Sequence, residues 1–269
     1  FEGPDKAREG GAKAIRDHEG AIVKTIGDAV MAAFVSPAQA VAAALEIQAR
    51  IAEFNRDHRR ADGPNPYLSG IHQPMTAEFT LTDLAVSGTI PSDLDGSYLR
   101  NGPNPVRPPN PATHHWFTGT GMVHGVRIEG GRARWYRNRW IRGREVSEAL
   151  GEQPAPGIRT EGFDAPNTNV IGHAGALWAI VEAGGNPVRI GPELDTIAHD
   201  PFGGTLTHAF SAHPHLDPAS GELHAICYQG TVQDQVWHVV VGSDGRVRRE
   251  EPIAVRHGPS IHDCMITPR

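Results

Sequence analysis

Cysteine is almost missing from this chain, with only Cys227 and Cys264 among 269 residues. Two thiols so placed make no disulfide framework and no zinc-ligand spacing, which fits a reducing compartment. Lysine is scarce and confined: Lys6, Lys13 and Lys24 all fall near the start, and every later cation is an arginine. That shift points to two joined pieces. The formal net charge is -6 and the arginines are scattered, so there is no basic footprint and nucleic-acid binding is set aside. Long hydrophobic runs are lacking too. The longest, Ala29 to Leu45, is interrupted by Ser36, Pro37 and Gln39, well short of the ~20 residues a membrane helix needs. No positive-apolar-small leader opens the chain, and the expected location is the cytoplasm. The first residue is Phe1 rather than Met, and Arg269 comes straight after an apolar run. Both ends are therefore expected to be cut.

What is present divides near residue 64. Ala21 to Phe34 reads as two short strands around Gly27-Asp28. Ser36 then caps a helix, with Pro37 at its first position and Gln39 completing a capping box. Ala40, Ala44, Ile47, Ile51 and Phe54 fall at helical spacing and are expected to pack on the hairpin. Asn55 to Pro66, rich in charge, Gly and Pro, reads as a linker. This makes 1–63 a small α+β piece, a hairpin plus a helix.

From residue 64 onward short apolar runs alternate with Gly, Pro and Asp. Met122 to Ile128 and Ala133 to Arg139 flank Glu129-Gly130-Gly131 as a hairpin, and Val236 to Val241 and Val247 to Ile253 flank a second turn. Leu177 to Glu182 and Leu223 to Tyr228 add strands. The expectation for 64–269 is a mainly β domain, a propeller or a barrel. Its chemistry centres on Thr207 to Asp217, which contains His213-Pro214-His215, and on Ser260-Ile261-His262-Asp263. Neutral imidazole is a common metal ligand, so His213 or His215 with His262 can supply half of a metal centre. The spacing alone favours ordinary loop histidines beside a turn, because no compact ligand pattern is present.

Two family resemblances sharpen this. Gly20 to Gln48, with Lys24-Thr25-Ile26-Gly27-Asp28 at its centre, resembles the class III adenylate/guanylate cyclases. The resemblance implies that Asp28 is one of two metal-holding aspartates and that Lys24 reads a purine. The strand carrying the other aspartate would precede Phe1, and the linker stands where the later catalytic segment belongs, so cyclase activity is not expected of this piece.

The second covers Asn65 onward. Leu94-Asp95-Gly96-Ser97-Tyr98-Leu99-Arg100-Asn101-Gly102-Pro103-Asn104-Pro105, His115-Trp116-Phe117, Gly121-Met122-Val123-His124-Gly125, Glu182-Ala183-Gly184, Ala212-His213-Pro214-His215 and Ile261-His262-Asp263 resemble the carotenoid cleavage oxygenases. That family implies a seven-bladed β-propeller, present here in part, with an axial Fe2+ held by four histidines. It also implies cleavage of a conjugated carbon–carbon double bond by O2 to two carbonyl products. By position, His213 matches the first iron ligand and His262 the second, while the other two would lie beyond Arg269. Glu182 matches the carboxylate that accepts a hydrogen bond from the far nitrogen of His262. His124, His208 and His215 are left as structural histidines or supports of the ligands.

Gly119-Thr120-Gly121-Met122 departs from the family's Gly-Asp-Gly-Met, and local loosening is expected there. The lack of lysine after Lys24 favours a carotenoid or apocarotenoid over a stilbene-like substrate, with peripheral membrane contact as a route to it. The alternatives are a nucleotide cyclase fragment with a β appendage and a non-catalytic fusion fragment.

Overall fold

In the computed structural model, which describes residues 12–26, 29–34, 36–58, 65–258 and 260–267, the chain divides into two units, Phe1–Pro64 and Asn65–Arg269. The first unit holds α1 (12–17), β1 (Ala21–Ile26), β2 (Ala29–Ala33) and α2 (Pro37–His58). The strands pair antiparallel with Ile26 opposite Ala29. Gly27 and Asp28, on which the turn and metal expectations rest, lie outside the described residues. Ser36 Oγ accepts from the Ala38 N–H at 3.2 Å, as an N-cap should. Gln39 does not close a capping box: its Oε1 accepts no hydrogen bond, and its Nε2 donates to Glu19 at 2.5 Å. The interior contains Ala14, Ile15 and Ala43, whereas Ala44 is exposed, so the packed face is turned one residue from the expected one. α2 also runs to His58, past the expected end at Asn55. Residues 55–58 contain neither Gly nor Pro, so nothing within them breaks the helix.

The second unit is mainly β. β3 (Thr80–Leu81), β4 (Gly96–Pro103), β5 (Gly121–Glu129) and β6 (Arg132–Trp140) form one antiparallel sheet in the order β3-β6-β5-β4. After a short helix, α3 (Arg144–Leu150), come β7 (Asn169–His173), β8 (Ala176–Ile180), β9 (Val188–Ile190) and β10 (Thr196–His199), a sheet in simple meander order. β11 (His215–Leu216), β12 (Leu223–Cys227), β13 (Gln235–Val241) and β14 (Val247–Ala254) repeat that meander. The expected hairpins lie inside β5/β6 and β13/β14. At the first, Glu129 faces Arg132 across Gly130 and Gly131, both at positive φ (55° and 71°). A two-residue turn of that hand matches strand twist and favours glycine.

The sheets pack through two apolar layers. Val123 of β5 meets Ala179, Val188 and Ile190 of the second sheet, together with Ile141 and Leu194. Trp178 and Ile180 of β8 meet Leu223, Ala225, Trp237, Val239 and Val241 of the third, with Phe202, Leu206 and Phe210 from the connection between them. Amides join the sheets where β4 lies beside β7. Asn101 Nδ2 donates to Pro166 O at 2.9 Å and Asn169 O at 3.2 Å, and Asn169 Nδ2 donates to Ala212 O at 2.8 Å. The expected loosening at Thr120 is not found. This residue is buried, its hydroxyl donating to Asn104 O at 2.8 Å and accepting from the Val106 N–H at 3.1 Å. Among the described residues no helix is long and apolar enough to cross a membrane.

His124, on β5, lies 2.8 Å from the Tyr136 hydroxyl. Burial, with the Arg100 charge adding to it, pulls the imidazole down to about 4. A histidine depressed from its unfolded value of about 6.5 favours folding fully above that pH and progressively less as pH falls towards 4. After discounting for solvent screening the effect is about 1–2 kcal/mol. The expected result is that the stability difference between wild type and His124→Gln, measured in urea at several pH values, shrinks between pH 6.5 and 4.

Candidate metal centre

His213 follows Ala212, whose carbonyl is held by Asn169 of β7, and its own N–H donates to Ser211 Oγ at 3.0 Å. The backbone leading into the ring is thereby held by a neighbouring sheet. His262 sits beyond β14 in an irregular segment. That segment returns to β11 through His215 Nε2 and Asp263 Oδ1, 2.8 Å apart, and is braced by the Cys264 N–H donating to Asp263 Oδ1 at 2.7 Å. The rings of His213 and His262 consequently stand 4.4 Å apart, centre to centre, inclined at 63°.

Glu182 lies just past β8, where the chain turns through Ala183 and Gly184, both at positive φ (68° and 131°). Ala183 is held in a conformation that side chains other than glycine seldom adopt. The turn brings both carboxylate oxygens of Glu182 to His262 Nδ1, at 3.3 and 3.2 Å. The His262 side chain is 66% exposed, so this contact adds little to stability. Its consequence is directional: with Nδ1 facing a carboxylate, Nε2 on the opposite side of the ring is left for a further ligand.

His213 is the more telling residue. Its Nε2 is buried without a hydrogen-bond partner, an arrangement that ordinarily costs about 1–3 kcal/mol and calls for an explanation. Burial first, and the neighbouring His262 second, hold its imidazole below the usual range, keeping the ring neutral with a lone pair to offer. A first-row metal at about 2.1 Å from each nitrogen lies roughly 3.2 Å from each ring centre. Centres 4.4 Å apart are then compatible with adjacent positions on one ion. The donor set fits a metal.

Beside these groups opens a cavity of about 710 Å³ lined by Trp116, Phe117, Phe163, Glu182, Tyr228 and His262. That volume suits a small organic ligand, and Trp116, Phe117 and Phe163 give the wall apolar surface. Burial, then the Glu182 charge, pushes the Tyr228 hydroxyl up, keeping it protonated at neutral pH.

The structure brings Glu182, His213 and His262 together. His124 turns to Tyr136. His208 stacks on Trp237 with ring centres 4.5 Å apart and lies 2.8 Å from Glu250. His215 faces Asp263. Of the cavity wall, Trp116 and Phe117 lie in a motif that carries the family resemblance, whereas nothing local in the sequence marks Phe163 or the support of His213 by Ser211. Only the adjacency of Asp263 to His262 hinted at its tie to the other histidine segment.

Known proteins are similar to this chain in sequence and in fold. Residues 72–269 match the family model described as retinal pigment epithelial membrane protein. A carotenoid cleavage oxygenase of Mycobacterium tuberculosis (strain CDC 1551 / Oshkosh) is 49% identical over 213 residues, 77% of this chain and 42% of that protein. The lignostilbene dioxygenase of Pseudomonas brassicacearum is similar in structure, with a TM-score of 0.64 at 27% identity over 74% of this chain and 44% of that one. A cobalt-substituted Synechocystis enzyme, ACO, gives a TM-score of 0.62 at 27% identity over 72% of this chain and 46% of that one. The chain spans about two fifths of the length of the curated relatives it matches.

Proposed function

Because the chain belongs to the retinal pigment epithelial membrane protein family, we propose that its second unit carries part of the Fe2+ site of a dioxygenase that splits a conjugated double bond of a carotenoid or apocarotenoid. In this reading the three four-stranded sheets are blades of a seven-bladed propeller. His213 and His262 are two of four histidine ligands. The observation that carries the reading is the pair of rings 4.4 Å apart, one with an orphaned buried nitrogen and the other backed by a carboxylate. Bound there, ferrous iron would supply the redox chemistry that lets O2 react with a double bond.

The chain's own residues do the rest. Glu182 accepts a hydrogen bond from the Nδ1–H of His262, selecting the tautomer whose Nε2 can coordinate and limiting rotation of the ring. Ser211 and Asn169 fix the approach of His213, while burial keeps its imidazole unprotonated. Trp116, Phe117 and Phe163 offer an apolar, flat-sided wall to a conjugated chain. An apocarotenoid fits this wall, and the absence of lysine after Lys24 removes one means of engaging a phenol; the lignostilbene and carotenoid names among the relatives make stilbenes the substrate to compare. Two free thiols accord with a cytoplasmic setting, where so apolar a substrate would be taken up by peripheral contact with a membrane.

The test begins with the metal. In a Cys264→Ser background, Fe2+ titrated anaerobically should bind in a manner that depends on both His213 and His262, and Glu182→Gln should weaken binding about 10- to 100-fold. Binding that ignores both histidines overturns the reading. With two imidazoles alone the ion is held weakly, so this chain should convert an apocarotenal or a hydroxystilbene slowly or not at all when carbonyl products are followed by chromatography. Rapid iron-dependent cleavage would refute the four-histidine ligand set.

For the first unit we keep the nucleotide cyclase resemblance, which is supported by β1 ending at Ile26 and β2 beginning at Ala29. Formation of a cyclic nucleotide from ATP and Mn2+, abolished by Asp28→Ala, would support it.

A further inference from the structure

The contact that ties the two histidine segments together has a third neighbour. Asp263 is followed by Cys264, and one ring nitrogen of His215, one carboxylate oxygen of Asp263 and the Cys264 sulfur all lie within 4.8 Å of one another. His215 Nε2 and Asp263 Oδ1 are already 2.8 Å apart. Donors bonded to one small divalent ion at about 2.0–2.3 Å sit roughly 2.8–3.7 Å from each other, according to the angle between them. Small side-chain rotations therefore suffice to close this trio on an ion.

His215 is held in a sheet, paired with His224 across β11 and β12, and Asp263 Oδ1 accepts from the N–H of the next residue, Cys264, at 2.7 Å. Access is graded, since His215 and Cys264 are half-buried while Asp263 is exposed. An ion can enter from solvent and keep water in its remaining positions.

The donor types narrow the choice of ion. Mg2+ and Ca2+ take all-oxygen ligands, whereas nitrogen, oxygen and thiolate sulfur together suit a borderline-soft ion such as Zn2+ or Co2+. A thiolate and a carboxylate also neutralise a double positive charge. Binding would release the thiol proton to solvent, and no electrons move.

We propose that His215, Asp263 and Cys264 form a site for a zinc-class divalent cation, using donors other than His213, His262 and Glu182. The rival reading is that His215 and Asp263 simply form a hydrogen bond that closes the loop, with a thiol nearby by chance.

Cobalt(II) separates the two, because thiolate coordination gives an intense near-ultraviolet charge-transfer band that nitrogen and oxygen ligands do not. Added to the whole chain, Co2+ should produce this band and Zn2+ should bleach it by competition. The band should vanish in Cys264→Ser, require at least ~10-fold more cobalt in His215→Ala and in Asp263→Asn, and persist in His213→Ala. Cys227 is fully buried and serves as the internal control. Failure of Co2+ to bind, binding without the band, or a band that survives Cys264→Ser would each overturn the proposal. The wild-type titration decides the matter even if a variant misfolds, and far-ultraviolet circular dichroism identifies such a variant.

Discussion

Replacing His213 with alanine is expected to remove Fe2+ binding from the paired-histidine centre while leaving the fold nearly as stable as before. The two halves of that result have separate causes. One ligand of the pair disappears, which should weaken binding by more than the ~10- to 100-fold attached to a supporting group. Most buried polar side chains would also cost stability on truncation, because a partner is stranded. The Nε2 of His213 strands none, since it is buried without a partner. Its removal relieves a desolvation cost of about 1–3 kcal/mol, which offsets the missing ring packing against His262. A change in unfolding free energy of less than about 1 kcal/mol is expected, read in urea without metal. A Cys264→Ser background keeps ions bound to the thiol from entering the titration. Unchanged Fe2+ affinity would remove His213 from the centre, and a large loss of apo stability would make its role structural.

Phe202→Ala is expected to have the largest effect on stability. Phe202 is fully buried, and its ring lies 4.8 Å from those of both Trp178 and Phe210. It belongs to the layer that joins the second and third sheets. Emptying such a site costs about 3–5 kcal/mol, and the paired rings add to that figure. The backbone at Phe202 has a positive φ of 52°, a conformation costing roughly 1–2 kcal/mol in a residue with a Cβ, so packing must hold it there. Phe202→Gly should consequently be no less stable than Phe202→Ala, although it removes more atoms. A clear deficit of the glycine variant in equilibrium urea unfolding would show that the strained backbone contributes nothing.

The hairpins and the histidine pair show how unequally the chain discloses itself. β5/β6 and β13/β14 could be read residue by residue because alternation and turn glycines act over a few positions. β4, β7 and β10 carry no such local signal because their residues mix polar and apolar types, and their pairing is decided by neighbouring strands. α3 went unnoticed for a related reason: at seven residues it is too short for a periodic signal. In the first unit the helix is legible and its run through residues 55–58 is not, since polar and charged residues mark a linker as readily as an exposed helical turn.

The sequence by itself determined that the second unit is built of short β hairpins, that it resembles the carotenoid cleavage oxygenases, and which imidazoles were worth watching, because composition, turn chemistry and ordered motifs are properties of the chain alone. Only the tertiary structure decided which of those side chains meet. Glu182 and His262 are 80 positions apart, and His215 and Asp263 are 48. Groups so distant come within hydrogen-bond reach only after three sheets have packed through Phe202, Phe210 and Val123 and the amides of Asn101 and Asn169 have joined the inner strands. No local period carries that information, because it resides in how the sheets fit together.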